Sequence, residues 1–154
     1  MSVTRIEPVG RAEAAQAVLD AKRRKNVSWE KIAEELERSK VWTAAALLGQ
    51  HPVSADQARA VGRLLGLDEV MVEALQLPPV RGEDAVDPTE PIIARLEEVV
   101  QVYGGAITEL IREEFGDGIM SAIDFRMKLD RIEAPEGDRV VITLDGKYLP
   151  YREF

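Results

Sequence analysis

The first half of the chain carries apolar residues at helical spacing in five short runs. From Arg11 to about Lys25 they fall at Ala14, Ala15, Val18 and Ala21. Behind Ser28, the residues Trp29, Ile32, Ala33 and Leu36 form one stripe. The Ser28 hydroxyl can accept from the orphan N–H groups of that helix's first turn. Ser39 is placed to do the same for a third helix, Val41 to Leu48, with Gly49 as its left-handed terminator. Ser54 opens a fourth run through Ala58, Val61, Leu64 and Leu65 to Gly66. Asp68 begins a short fifth helix that ends before Pro78. Five short helices with tight turns predict a small helical bundle over residues 1–77.

Residues 78–91 (PPVRGEDAVDPTEP) are rich in proline and acid and cannot be helical throughout. They read as an ordered or semi-rigid connector. A C-terminal part, residues 92–154, then starts with a helix from about Ile92 to Tyr103. The Gly104–Gly105 pair is expected to break or kink it before a further helix, Ala106 to Phe115. After Gly116 and Gly118 the period changes to two. Ile119, Ser121, Ile123, Phe125, Met127 and Leu129 alternate with Met120, Ala122, Asp124, Arg126, Lys128 and Asp130, the mark of a half-buried strand. Pro135-Glu136-Gly137-Asp138 predicts a turn, Arg139 to Leu144 (RVVITL) a second strand, and Asp145-Gly146 another tight turn. The fold class expected is mainly α, with a small α+β C-terminal part containing a β-hairpin. An isolated hairpin is marginal in water and leaves both edges open. Pairing with the same hairpin of a second chain solves this, so a dimer with intertwined C-terminal ends is expected.

Composition narrows the chemistry. With 154 residues, 45% of them hydrophobic and 31% charged, the chain is an ordinary globular sequence of one domain or two small ones. No apolar run approaches the roughly 20 residues needed to cross a bilayer, and the N-terminus lacks the apolar region of a secretory signal. There is no cysteine, hence no disulfide and no thiolate metal site, and His51 is the single histidine. These features argue against zinc chemistry and a serine–histidine triad, and favour a cytoplasmic protein without a metal. The net charge of −8 is unevenly spread. Residues 1–76 hold 11 Lys+Arg against 11 Asp+Glu, whereas residues 77–154 hold 9 against 17. An anion bound in the acidic half must therefore be held by a few local donors and not by the overall field.

Two classes of function fit these patterns. SWEKIAEEL, a short turn and SKVWTAAALLG have the rhythm of a helix-turn-helix, which makes a DNA-binding regulator one reading. The helix that would enter the major groove offers Lys40 and Thr43 and is otherwise almost all alanine and leucine, with little to read a base edge. The bundle is also neutral, so phosphate attraction is weak. The second reading is an anion-handling enzyme. Arg95 and Glu98 stand at i and i+3 on one side of the Ile92–Tyr103 helix, off its main apolar stripe. They are either a solvated ion pair, worth at most about 1 kcal/mol, or an arginine held by a carboxylate so that its fork meets an anion. Ser121 is the one polar residue in the row from Ile119 to Leu129. If that row is buried, its hydroxyl needs a partner from backbone or ligand. Gly116 and Gly118, around Asp117, let backbone approach closely and can present N–H groups.

The block FGDGIMSAIDF, Phe115 to Phe125, followed by VITLDGKYLP, Val141 to Pro150, resembles the C-terminal signature of the cyanase (cyanate hydratase) family. QVYG, Gln101 to Gly104, and ALLGQ, Ala46 to Gln50, fit the same family in the same order, and the similarity runs from about Lys22 to the C-terminus. The resemblance implies a C–N lyase that combines cyanate with bicarbonate to give carbamate and CO2, the carbamate then giving ammonia and CO2. It implies Arg95, Glu98 and Ser121 as the catalytic residues, with Arg95, Ser121 and Gly118 at the substrates. It also implies no metal and no cofactor beyond bicarbonate as co-substrate, and no nucleic acid or membrane as partner. The assembly implied is a homodecamer, a pentamer of dimers, with sites between subunits. Arg95 would clamp an anion, Ser121 would donate to developing charge, and Glu98 would orient Arg95 or handle protons. The first twenty or so residues carry none of the resemblance, and the terminal YREF, Tyr151 to Phe154, is a variable end.

Overall fold

The structure is a computed structural model, and it describes residues 9–82 and 86–153. Of the expected elements, residues 1–8 of the bundle, residues 83–85 of the connector and residue 154 of the terminal YREF lie outside the described residues. The chain divides into two units, Met1–Glu83 and Asp84–Phe154.

The first unit is the expected bundle: α1 (Arg11–Lys25), α2 (Trp29–Leu36), α3 (Lys40–Leu47), α4 (Ala55–Leu65) and α5 (Glu69–Ala74). Side-chain caps start four of the five. Ser28, Ser39, Ser54 and Asp68 accept from Lys31, Trp42, Gln57 and Met71 N–H respectively. Each satisfies a donor the helix leaves orphaned, worth about 1 kcal/mol per cap. Gly49 and Gly66 take the left-handed conformation that ends α3 and α4. The apolar stripes converge on one core, in which Ile32, Leu47, Leu65 and Leu75 are fully buried. Each such side chain contributes about 1.5–3 kcal/mol relative to exposure.

One core contact was not legible as a stripe. Arg11, at the first position of α1, donates from Nη1 to Leu75 O (2.6 Å) and from Nη2 to Ala46 O (2.5 Å) and His51 O (2.9 Å). These carbonyls lie at the C-terminal ends of α5 and α3 and in the following turn, where helix dipoles favour a cation. Burial holds the guanidinium below its ordinary pKa. Arg11→Ala strands three carbonyls at once. It is expected to lower the stability of this unit by roughly 2–3 kcal/mol in a urea melt followed by helical circular dichroism. A loss below about 0.5 kcal/mol would show the clamp to be no more than a surface contact.

The second unit consists of α6 (Pro91–Phe115), β1 (Gly118–Ile132) and β2 (Arg139–Pro150). Glu90 caps α6 by accepting from Ile92 N–H (3.1 Å), and Pro91 occupies the first turn, where its missing donor is not needed. The expected break at Gly104–Gly105 does not occur, since α6 runs through it for 25 residues. A glycine weakens a helix by about 1 kcal/mol relative to alanine but keeps its N–H and clashes with nothing. Thr108 Oγ1 also donates back to Gly104 O (2.8 Å).

The strands pair antiparallel around a turn in which Gly137 N–H donates to Ala134 O (3.0 Å). They differ from expectation in two linked ways. The second strand does not end at Leu144. It continues through Asp145 and Gly146 to Pro150, so these two residues form no turn. The strict alternation in β1 also fails. Met120 pairs with Tyr148 and Phe125 pairs with Gly146, so Ser121 to Asp124 face Lys147 alone. This irregular bulge, four residues against one, resets the pleat. Ser121 is buried (5% exposed), whereas Ile123, two residues on, is 98% exposed. The row from Ile119 to Leu129 is therefore not one buried face.

Candidate active site

Arg95 lies in the second turn of α6, and its Nη1 donates to Glu98 Oε2 at 2.6 Å. The side chains are 74% and 57% exposed. Such a pair contributes little to stability. Its geometric effect is larger, because one guanidinium donor is fixed by the carboxylate while four remain for a second, planar partner.

Ser121 is set by the bulge. Its Oγ accepts from Ile123 N–H (3.0 Å) and Asp124 N–H (2.9 Å), a local turn closed by the side chain. A hydroxyl has two acceptor positions and one proton. With both acceptor positions taken by backbone, Ser121 is left with its O–H to give. It is thus a donor held in a fixed place, and a poor nucleophile, since the lone pairs that would attack are engaged.

Gly118 opens β1 opposite Pro150. A Cβ there would stand 2.4 Å from Leu149 O and 2.7 Å from the Tyr148 ring, so close packing of the hairpin base accounts for this glycine. Tyr148 also stacks on Phe115 at 5.2 Å, and Tyr151 N–H donates to Asp117 O (3.1 Å), which fixes the joint between α6 and the hairpin. Sequence reasoning took Gly146 for a turn residue and gave Tyr148 no role. The available signal was a glycine inside a run of strand formers, which marks a bulge or a close backbone approach.

Within one chain, Arg95 and Glu98 meet each other but not Ser121. Arg95 precedes the end of α6 by about 30 Å of helix, and α6 packs along neither strand. The candidate recognition helix of the DNA-binding reading fares worse. Thr43 is fully buried, leaving Lys40 as the one exposed side chain in α3 with base-reading chemistry.

A guanidinium oriented by a carboxylate on a long helix, and a hydroxyl left to donate in a bulged hairpin, are the kinds of group suited to small anions. Comparison with known proteins makes that class specific. Residues 11–79 match the family model described as cyanate hydratase, N-terminal, and residues 85–153 match the cyanate lyase C-terminal domain. The cyanate hydratase of Thiobacillus denitrificans is 55% identical over 145 residues, covering 94% of this chain and 99% of that protein. That of Mycolicibacterium vanbaalenii is 52% identical, covering 92% and 93%. The crystal structure of cyanase from T. urticae superposes with a TM-score of 0.77 at 35% identity, covering 89% of this chain and 96% of that one. The chain belongs to the cyanate hydratase family.

Arg95→Lys keeps the charge and loses the fork. In cyanate-dependent ammonia release it is expected to raise KM by roughly tenfold or more, the equivalent of one charge-assisted hydrogen bond. An unchanged KM would mean that Arg95 does not clamp the anion.

Proposed function

We infer that this chain is a cyanate hydratase, a C–N lyase that decomposes cyanate with bicarbonate as co-substrate. The observation that carries the reading is the match of both halves of the chain to this one family, with 55% identity to a cyanate hydratase over nearly its whole length. The reaction balances as attack of a bicarbonate oxygen on the cyanate carbon to give a dianion. Loss of CO2 with uptake of a proton gives carbamate, and a second proton releases ammonia and a second CO2.

The proposed roles follow from the local geometry. Two monoanions meet in a half of the chain that is itself acidic, so local donors must offset their repulsion. The Arg95 fork binds one carboxylate-like edge, and holding both reactants in line removes the entropy of their encounter. Ser121 O–H points at charge that grows as the bond forms, supported by backbone near Gly118. Glu98 holds Arg95 in register, with proton handling as its second role. No cofactor is required in this reading, and the protein works in the cytoplasm without nucleic acid or membrane as partner.

We place the site between chains. Arg95 and Ser121 are not packed together within one chain, and α6 has no buried residue among those described. A long helix with Ile92, Leu96, Val99, Tyr103, Ile107 and Leu110 exposed is apolar surface that an assembly would cover. An intertwined dimer of C-terminal units, five of them forming a decamer, meets that need.

Two experiments test this. Ammonia release from cyanate should depend on added bicarbonate, whereas absence of release together with specific duplex binding would favour the regulator. The chain should also scatter light as an oligomer at micromolar concentration. Arg95→Ala and Ser121→Ala, each impaired alone, should regain activity when their subunits are mixed, because some sites then hold both wild-type groups. A monomer, or mixtures no more active than their parents, would rule out a shared site.

A further inference from the structure

We propose that Gly146 is a positioning residue for Ser121, a role that rests on the catalytic reading of that serine. Gly146 does not need to be glycine for its backbone, since its φ is not among the positive values and any residue could adopt it. It needs to be glycine for space. A Cβ at this position would lie 2.5 Å from Ser121 O, 2.4 Å from Met120 Cγ and 3.1 Å from Met120 Sδ. The methionine is flexible and can swing aside. The carbonyl is backbone and cannot move without turning the Ser121 peptide.

The register explains the closeness. Gly146 pairs with Phe125, the first residue after the bulge, and its neighbour Lys147 alone faces Ser121 to Asp124. The bulge folds back over β2 at Gly146, which brings the Ser121 carbonyl onto the place a side chain would occupy. The same residue carries, on its side chain, the hydroxyl that accepts from Ile123 and Asp124 N–H. Any displacement of the carbonyl therefore moves the donor proton relative to its anion. Gly146 touches no reactant in this account. It acts by leaving Ser121 where the local turn puts it.

The test is Gly146→Ala in the assembled protein, alone and combined with Ser121→Ala, read as bicarbonate-dependent ammonia release and as oligomer size. Gly146→Ala is expected to keep the wild-type oligomer and lower kcat on the order of 100-fold, the scale of a misplacement near 1 Å. In the Ser121→Ala background it should cost less than about twofold more, because its route is already removed. Full activity of Gly146→Ala, or full additivity with Ser121→Ala, overturns the proposal. If Ser121→Ala itself is fully active, the catalytic reading of Ser121 fails instead, so the two failures are distinct. Met120→Ala with Gly146→Ala removes the side-chain overlap and leaves only the carbonyl overlap. That pair should stay impaired relative to Met120→Ala alone, and recovery would assign the defect to crowding of Met120. Where the single variant does not assemble, the pair carries the same comparison. Failure of both to assemble would make Gly146 a folding requirement and not a positioning one.

Discussion

The C-terminal unit buries almost nothing of its own, and its architecture follows from that constraint. Among its described residues only Ser121 is buried, although the unit holds a 25-residue helix and two strands of 15 and 12 residues. Fixing a backbone costs about 1–2 kcal/mol per residue, and a lone hairpin does not recover that in water. The N-terminal unit is the opposite case, with five helices shorter than α6 converging on a closed core whose carbonyl ends are gathered by Arg11. Ordering the C-terminal unit needs apolar cover from elsewhere. A site built on that unit then shares the same dependence, which is why an assembly belongs to the proposed chemistry and is not an addition to it.

The helical half was legible because its signals are local. Ser28, Ser39, Ser54 and Asp68 each cap a helix whose stripe begins immediately after, and capping needs only the next three residues. The Arg95–Glu98 pair was legible for the same reason, being set by helical spacing alone. Two of the misreadings share one cause, which is glycine. Gly104–Gly105 looked like a break, and Asp145-Gly146 looked like a turn. Glycine composition reports permission to deviate and not deviation itself. In α6 the permission goes unused. At Gly146 it is used for proximity, which depends on what lies across the sheet and is invisible along the chain. The bulge itself was hidden because period-two patterning assumes unbroken register, and four residues facing one cannot be read from one strand.

That bulge also settles what kind of serine Ser121 is. In a regular strand its hydroxyl would point with Ile119 and Ile123 and compete for backbone carbonyls or water. Here the chain doubles back, and two amide N–H groups occupy the oxygen. The arrangement uses up acceptor capacity and leaves a proton, so it biases the side chain toward donating. Arg95 is biased by the complementary means, a carboxylate that takes one donor and fixes the direction of the rest. Both groups are prepared by their immediate sequence neighbours, and neither needs the other to be ready. What the fold of one chain does not supply is the distance between them. Preparation is local and juxtaposition is not, so a sequence can display the parts of the proposed site without displaying where they would meet.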